Sequence, residues 1–319
     1  MRFLVIGGTG FIGGAFAERA LAEGHVVRVL SRHLPSSAAA NRQIEYISGN
    51  FADAVLMDRA ADGVDICVHA ASTMVPSQAN SLIEQDINEN LIGSLRILQS
   101  CLRAHVKRVL FISSGGTVYG RPVRLPIVES DPTNPIAAYG IAKLAVEKHF
   151  YLFHELFGLD YRIARLSNPY GPSQKTASGQ GVIAAFVEKT LMREPLVVMG
   201  DGTIVRDFIY IDDAVAALLK LCVHSGPSRI FNIGSGAGTS INEVIRSIAS
   251  ISELRSEIEY RESRNFDVPS NILSCDLARR ELGWSPTTSL ADGLRATIAA
   301  KRLKLEREEA DGSPRTASY

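Results

Sequence analysis

Apolar and polar residues follow two rhythms along this chain. Short, continuous apolar runs suit strands buried on both faces, and longer stretches repeat apolar residues every three or four positions, as helices do. The strand candidates are Arg2–Ile6, His25–Leu30, Ile44–Ile47, Val64–His69, Arg108–Ile112, Tyr161–Leu166, Leu196–Met199, Phe208–Tyr210 and Arg229–Ile233. Helical patterns fall between them at Ala15–Glu23, Leu82–His105, Ile136–Phe157, Val182–Met192, Asp212–His224 and Ile241–Ile251. Strands alternating with helices predict an α/β fold built on a doubly wound parallel sheet. After Leu166 the rhythm loosens, with Gly and Pro clusters at Asn168–Pro172 and Gly200–Thr203. These predict a smaller, interleaved α+β lobe that binds substrate. The expected division gives residues 1–166 and 208–233 to the sheet domain and 167–207 and 234–303 to the lobe. Lys304 to Tyr319 is polar and charged, and is expected to be a disordered tail.

The first strand leads straight into Gly7-Gly8-Thr9-Gly10-Phe11-Ile12-Gly13, followed by a helix and a second strand. That context turns a glycine pattern into a dinucleotide site. Its glycines let the backbone turn tightly and approach a pyrophosphate seated on the helix N-terminus. Further on, Tyr139 and Lys143 stand four apart in a helical pattern, so both can face one pocket. Asn134 and Pro135 suit the entry to that helix. Ionising a phenol near neutral pH requires a shift of about 3 units, roughly 4 kcal/mol. One cation about 6 Å away contributes roughly 3 kcal/mol at an effective dielectric of ~20. A second positive charge, such as an oxidised nicotinamide ring, supplies the rest.

Composition narrows the alternatives. The chain has 319 residues, enough for a substantial core, and a formal net charge of zero. Its Lys and Arg are dispersed, unlike a nucleic-acid footprint. No apolar run approaches the ~20 residues of a membrane span. Cys67, Cys101, Cys222 and Cys275 are scattered and show no metal-ligand spacing, which fits buried thiols in a reducing cytoplasm.

Gly7-x-x-Gly10-x-x-Gly13, Ser113-Ser114, Tyr139-x-x-x-Lys143 and the run from Arg206 to Asp213 together resemble the extended short-chain dehydrogenase/reductase family. Within it the chain is similar to the NAD-dependent epimerase/dehydratase group and its 4-epimerase-like members, over roughly residues 1 to 300. The resemblance implies NAD or NADP, bound by Gly7, Gly10, Phe11, Ile12, Gly13, Ser31, Arg32, Asn50, Phe51, Ala70, Ala71 and Asn90 together with Tyr139 and Lys143. Tyr139 would be the acid/base, and Lys143 would bond the nicotinamide ribose and hold the Tyr pKa down. Asn90 would support the constellation. Asn168 would contact a sugar-nucleotide diphosphate, and Arg206, Arg264 and Asp267 would clamp the nucleotide. A guanidinium fork suits phosphate, and a carboxylate suits ribose hydroxyls. The resemblance also implies a homodimer, in which the long helices Leu82–His105 and Ile136–Phe157 would pair with a partner's copies.

Several positions depart from the pattern. Gly115 stands where a Ser or Thr usually bonds the sugar hydroxyl, and either Ser114 or Thr117 can take that role. Gly116-Thr117 replaces the Asp-Glu pair that eliminates water in 4,6-dehydratases, which argues against that reaction. Ser31-Arg32 ends the second strand where NAD users place an acid, leaving NAD and NADP both open. Asn271 falls at the position lining the sugar pocket, where a residue smaller than Tyr would admit an N-acetyl group. The implied function is a nucleotide-sugar 4-epimerase, acting on a UDP-sugar through a 4-keto intermediate. The alternatives are a 4-keto-sugar reductase using NADPH and, from another class, a non-catalytic NADP-sensing regulator.

Overall fold

Each apolar run predicted as a strand becomes one, and most helices between them close βαβ crossovers. The computed structural model describes residues 1–34, 43–74, 76–176, 181–264 and 267–310. The first half runs β1 (Arg2–Ile6), α1 (Phe11–Ala22), β2 (Val26–Ser31), β3 (Ile44–Ser48), α2 (Ala54–Ala61), β4 (Ile66–His69), α3 (Pro76–Ala79), α4 (Ile83–Asp86), a π-helical segment (Ile87–Ile92), α5 (Gly93–Arg103), β5 (Arg108–Ser114), α6 (Ala138–Phe157) and β6 (Tyr161–Leu166). The second half runs β7 (Asn168–Tyr170), α7 (Val182–Leu191), β8 (Leu196–Met199), β9 (Val205–Tyr210), α8 (Ile211–Val223), β10 (Ile230–Ile233), β11 (Gly238–Ser240), α9 (Ile241–Ser252), β12 (Ile258–Arg261), β13 (Ser270–Asn271), α10 (Asp276–Leu282) and α11 (Leu290–Ala310).

Seven strands form one parallel sheet in the order β10-β6-β5-β4-β1-β2-β3. The chain winds outward from β1 to β3, then crosses back to β4. The crevice between β1 and β4 is therefore the topological switch point, where such sheets bind ligands. Helices cover both faces. Phe16 of α1, Leu218 of α8 and Trp284 pack on one side; Met57 of α2, Ile97 of α5 and Phe150 of α6 pack on the other. Strands β4 and β6 are buried at every position, which is why their sequences read as unbroken runs rather than alternations.

A smaller sheet, β11-β9-β13 with β7 also on β9, sits beside a β8–β12 pair. Helices α7, α9 and α11 enclose a separate core around Val187, Ile248 and Leu294. Phe208–Tyr210, expected with the main-sheet domain, belongs to β9 and so to this smaller sheet.

Other expectations need correction. Helix α11 continues to Ala310, so residues 304–310 are helical rather than a disordered tail. Leu294 and Ile298 anchor its first half, and Lys301–Glu188 and Lys304–Glu308 pairs support its polar second half; 311–319 lie outside the described residues. Asn134 does not cap α6. Its backbone bridges to Gly120, the helix starts at Ala138, and Asn80 Oδ1 accepts the Ala138 N–H at 2.8 Å. Leu82–His105 is not one continuous α-helix, because the π segment interrupts it.

Candidate active site

The turn after β1 is shaped for a pyrophosphate. Gly7 has φ +80°, and a Cβ there would stand 2.8 Å from Ala71 Cα. A Cβ on Gly13 would run into the Gly7 carbonyl. Gly10 is the N-cap of α1 and carries no side chain to occupy the free N–H groups of the first turn. The cleft above this cradle measures about 1280 Å³, larger than a pocket for one drug-sized ligand. The residues therefore fit a dinucleotide with space for a second ligand.

The cleft brings together most of the residues singled out in the sequence. Gly7, Gly10, Phe11, Ile12, Gly13, Ser31, Arg32, Phe51, Ala70 and Ala71 line one end, and Asn168, Arg206, Arg264 and Asp267 the other. Ser114, Thr117, Tyr139 and Lys143 lie between them. Ser31 shares a 2.5 Å hydrogen bond with Thr9, while Arg32 is exposed at the rim. Arg206 donates to the carbonyls of Val205 and Val268, and its guanidinium stands 3.6 Å from Asp267. Asn168 donates to the Asp207 carbonyl at 3.0 Å.

Three residues lie elsewhere. Asn50 turns its Oδ1 toward the Ala52 N–H at 2.9 Å and shapes the approach to α2 rather than the cleft. Asn90 lies behind the cleft, where its Oδ1 accepts from the Thr73 N–H (2.9 Å) and hydroxyl (3.2 Å), clamping the loop after β4. Asn271 does not line the cleft. It is fully buried on β13 and donates to the Gly115 carbonyl at 3.1 Å, so the loop bearing Gly115 covers the side chain predicted to face the sugar.

The same geometry explains Gly115. A Cβ at this position would meet Leu273 Cδ1 at 2.5 Å and the Arg165 carbonyl at 3.0 Å, pointing into the core. A hydroxyl there would not reach the cleft. Ser114 lines the cleft, and the Thr117 hydroxyl is buried without a partner. The neighbouring Ser113 gives its hydroxyl to Glu147, which also pairs with Arg165 at 2.7 Å.

Tyr139 and Lys143 sit one turn apart on α6. Lys143 Nζ donates to the Ile112 carbonyl at 3.0 Å and lies 4.7 Å from the Phe111 ring centre and 5.7 Å from that of Tyr139. Burial pushes the Lys143 amine down to about 8, against the charges of Asp86 and Glu147. Burial pushes the Tyr139 phenol up to about 12; a hydrogen bond with Ser72 opposes this and the charge of Asp86 adds to it. The sequence predicts that Lys143 and a second positive charge together hold this pKa down; among the protein's own groups the phenol stands above its ordinary value. Activation of the phenol is left to a positive charge brought by a bound ligand.

The sequence profile of the NAD dependent epimerase/dehydratase family matches residues 3–234. The chain belongs to this family. A UDP-glucose 4-epimerase of Mycolicibacterium smegmatis is 32% identical over 312 residues, spanning 95% of this chain and 99% of that protein. The crystal structure of the Thermotoga maritima UDP-glucose 4-epimerase with UDP-glucose superposes with a TM-score of 0.91 at 33% identity, covering 96% of this chain and 100% of the other. The Thermus thermophilus UDP-glucose 4-epimerase, in complex with NAD, gives 0.88 at 28% identity, covering 95% and 99%.

Sequence reasoning missed the side chains that stand behind Tyr139 and Lys143. Ser72 reaches Tyr139, and Asp86 lies fully buried behind it, its Oδ1 accepting from Asn90 Nδ2 at 2.6 Å. The Asp86–Asn90 spacing is the i,i+4 signal that would have flagged the pair. Arg165, Glu147, Tyr119 and Asn232 are joined across long sequence separations, which no local pattern reveals.

Proposed function

We propose that the chain is a nucleotide-sugar 4-epimerase acting on a UDP-hexose with NAD. What carries this reading is the Tyr139–Lys143 pair, set in one continuous cleft between the glycine cradle and the Arg206–Arg264–Asp267 cluster. The cradle holds the dinucleotide pyrophosphate, and the smaller lobe built on β9 holds the nucleotide. Arg206 and Arg264 supply charge-assisted contacts to the nucleotide diphosphate, and Asn168 adds to them. A bound nicotinamide ring supplies the hydride acceptor and donor.

Ser114 orients the sugar C4 hydroxyl, with Thr117 beside it. Tyr139 takes the proton from that hydroxyl as C4 is oxidised, and Lys143 steadies the resulting phenolate. The 4-keto sugar turns over while its nucleotide stays clamped. Tyr139 returns the proton when C4 is reduced on its opposite face. The three relatives named above are all 4-epimerases, so a one-way reductase is the less favoured reading. The Thermus thermophilus relative, solved with NAD, favours NAD over NADP, with Arg32 at the rim open to solvent.

Among the described residues no helix is long and apolar enough to cross a membrane. The four cysteines are free and buried, in keeping with a cytoplasmic enzyme. Helix α6 exposes Ile141, Leu152, Leu156 and Phe157, and Ile83 and Ile87 are exposed on the helical stretch packed beside it. This apolar surface suits a homodimer built on paired helices. Purified protein incubated with UDP-glucose, with no added reductant, should form UDP-galactose up to a constant ratio. Absence of any C4 epimer from UDP-, GDP- and dTDP-hexoses would refute the reading.

A further inference from the structure

Behind the cleft lies a small cavity lined by His69, Asp86, Asn90, Ser94, Tyr139 and Lys143, among others. It offers about 10 Å³ to the centre of a water molecule, which is room for about one. Asp86, Asn90 and Ser94 stand four apart along one helical stretch and so share one side of it.

The groups around the cavity differ in how fully they are paired. Glu147, one turn beyond Lys143 on α6, is bound by Arg165 and Ser113. From β4, His69 shares a hydrogen bond with Ser94 through Nε2, and burial holds its pKa down to about 3, so it brings no charge. Lys143 has three donors, and one goes to the Ile112 carbonyl. Asp86 is 1% exposed, and its side-chain partner is the Asn90 amide rather than a cation. A buried carboxylate that makes no ion pair among the described residues and a buried ammonium with spare donors thus face the same water-sized space. A carboxylate so placed favours the ammonium form of Lys143 and disfavours the phenolate form of Tyr139.

We propose that Asp86 is a positioning residue for the acid–base pair: through the cavity behind α6, and a water bridging it to Lys143, it keeps Lys143 protonated and sets the pH range in which Tyr139 and Lys143 work together. This deepens the 4-epimerase reading and rests on it for the role of the pair. The signs are definite. Removing the negative charge lowers the pH at which Lys143 loses its proton, and likewise lowers that of Tyr139. Both limbs of the rate profile therefore move toward acid, whereas a purely structural role would lower the rate at every pH without moving the limbs.

The test compares wild type with Asp86→Asn, Asp86→Ser and Asp86→Glu. Ser covers the case in which an Asn amide clashes with that of Asn90 and destabilises the protein. Competitive acetylation of Lys143, followed by mass spectrometry across a pH series, reads the amine without relying on turnover. In the neutral variants the labelling midpoint should fall by at least about half a pH unit, and in Asp86→Glu it should stay near wild type. The optimum for conversion of UDP-glucose should move by a similar amount in the same direction. A labelling midpoint unchanged in the folded neutral variants would overturn the proposal. A shifted midpoint in a protein whose wild type converts no nucleotide sugar would instead sink the 4-epimerase reading and leave the Asp86–Lys143 coupling standing.

Discussion

Helix α6 carries two buried polar clusters, and they differ in how completely their charges are matched. At Glu147 the pairing is complete. Arg165 meets it through two nitrogens, Ser113 donates to it, and Tyr119 links Arg165 to Asn232 at 2.9 and 2.7 Å. One turn earlier, Lys143 has one carbonyl partner, Tyr139 is pushed toward its neutral form, and His69 Nδ1 is buried with no partner. The matched cluster ties β5, β6 and α6 together next to Ser114, the last residue of β5. Tyr139 and Lys143 of the unmatched cluster line the cleft, where a ligand can meet them, and His69 lies behind them. One cluster stabilises the fold, and the other lowers stability in return for chemistry.

Breaking the matched cluster should have the largest effect. Glu147→Gln leaves the Arg165 guanidinium buried without its counter-charge, and should cost about 3 to 5 kcal/mol in denaturant unfolding. A loss under about 1 kcal/mol would show that the pairing is not what holds this side of the sheet. Breaking the unmatched cluster should work in the opposite direction. Lys143 falls from 10.5 to about 8 on folding, so the unfolded chain binds the proton more tightly. Stability is therefore fully present above about 10.5 and is lost as pH falls to about 8, and below that the deficit is roughly 3 kcal/mol. Lys143→Met should thus raise stability at pH 7 by up to about 3 kcal/mol while abolishing turnover. A destabilised Met variant would place Lys143 among the structural residues.

A smaller effect sharpens the comparison. His69 is held neutral, with its pKa down to about 3 against 6.5 in the unfolded chain. Its contribution is whole above about 6.5 and declines as pH falls toward 3, by about 2 kcal/mol at pH 5. Melting curves at pH 5 and 7.5 should show this loss in wild type and much less of it in His69→Gln. Equal losses in both would assign the acid sensitivity to other groups.

Much of the main sheet was legible because its strands are short, apolar and buried on both faces, and its crossovers are amphipathic helices. The glycine turn and the Tyr139–Lys143 pair were legible because their geometry is local. What escaped depended on contacts distant in sequence. Whether residue 271 faces the sugar depends on β13 pairing with β9 and on the loop at Gly115, and neither leaves a mark near Asn271. The cap of α6 comes from Asn80, far from the Asn134 that local rules suggest. The continuation of α11 rests on packing by Leu294 and Ile298, which a polar composition conceals. Asp86 was overlooked because it looks like one more helical acid until burial sets it against Lys143.

The central claim is that Tyr139 exchanges the proton with the sugar, while the other cleft residues bind, orient and steady its charge. Tyr139→Phe removes one hydroxyl and keeps the ring, so it separates the two roles. Conversion of UDP-glucose should fall at least ~100-fold, with the melting temperature and the UDP-glucose dissociation constant close to wild type. A Phe variant that converts UDP-glucose at near the wild-type rate would contradict the account.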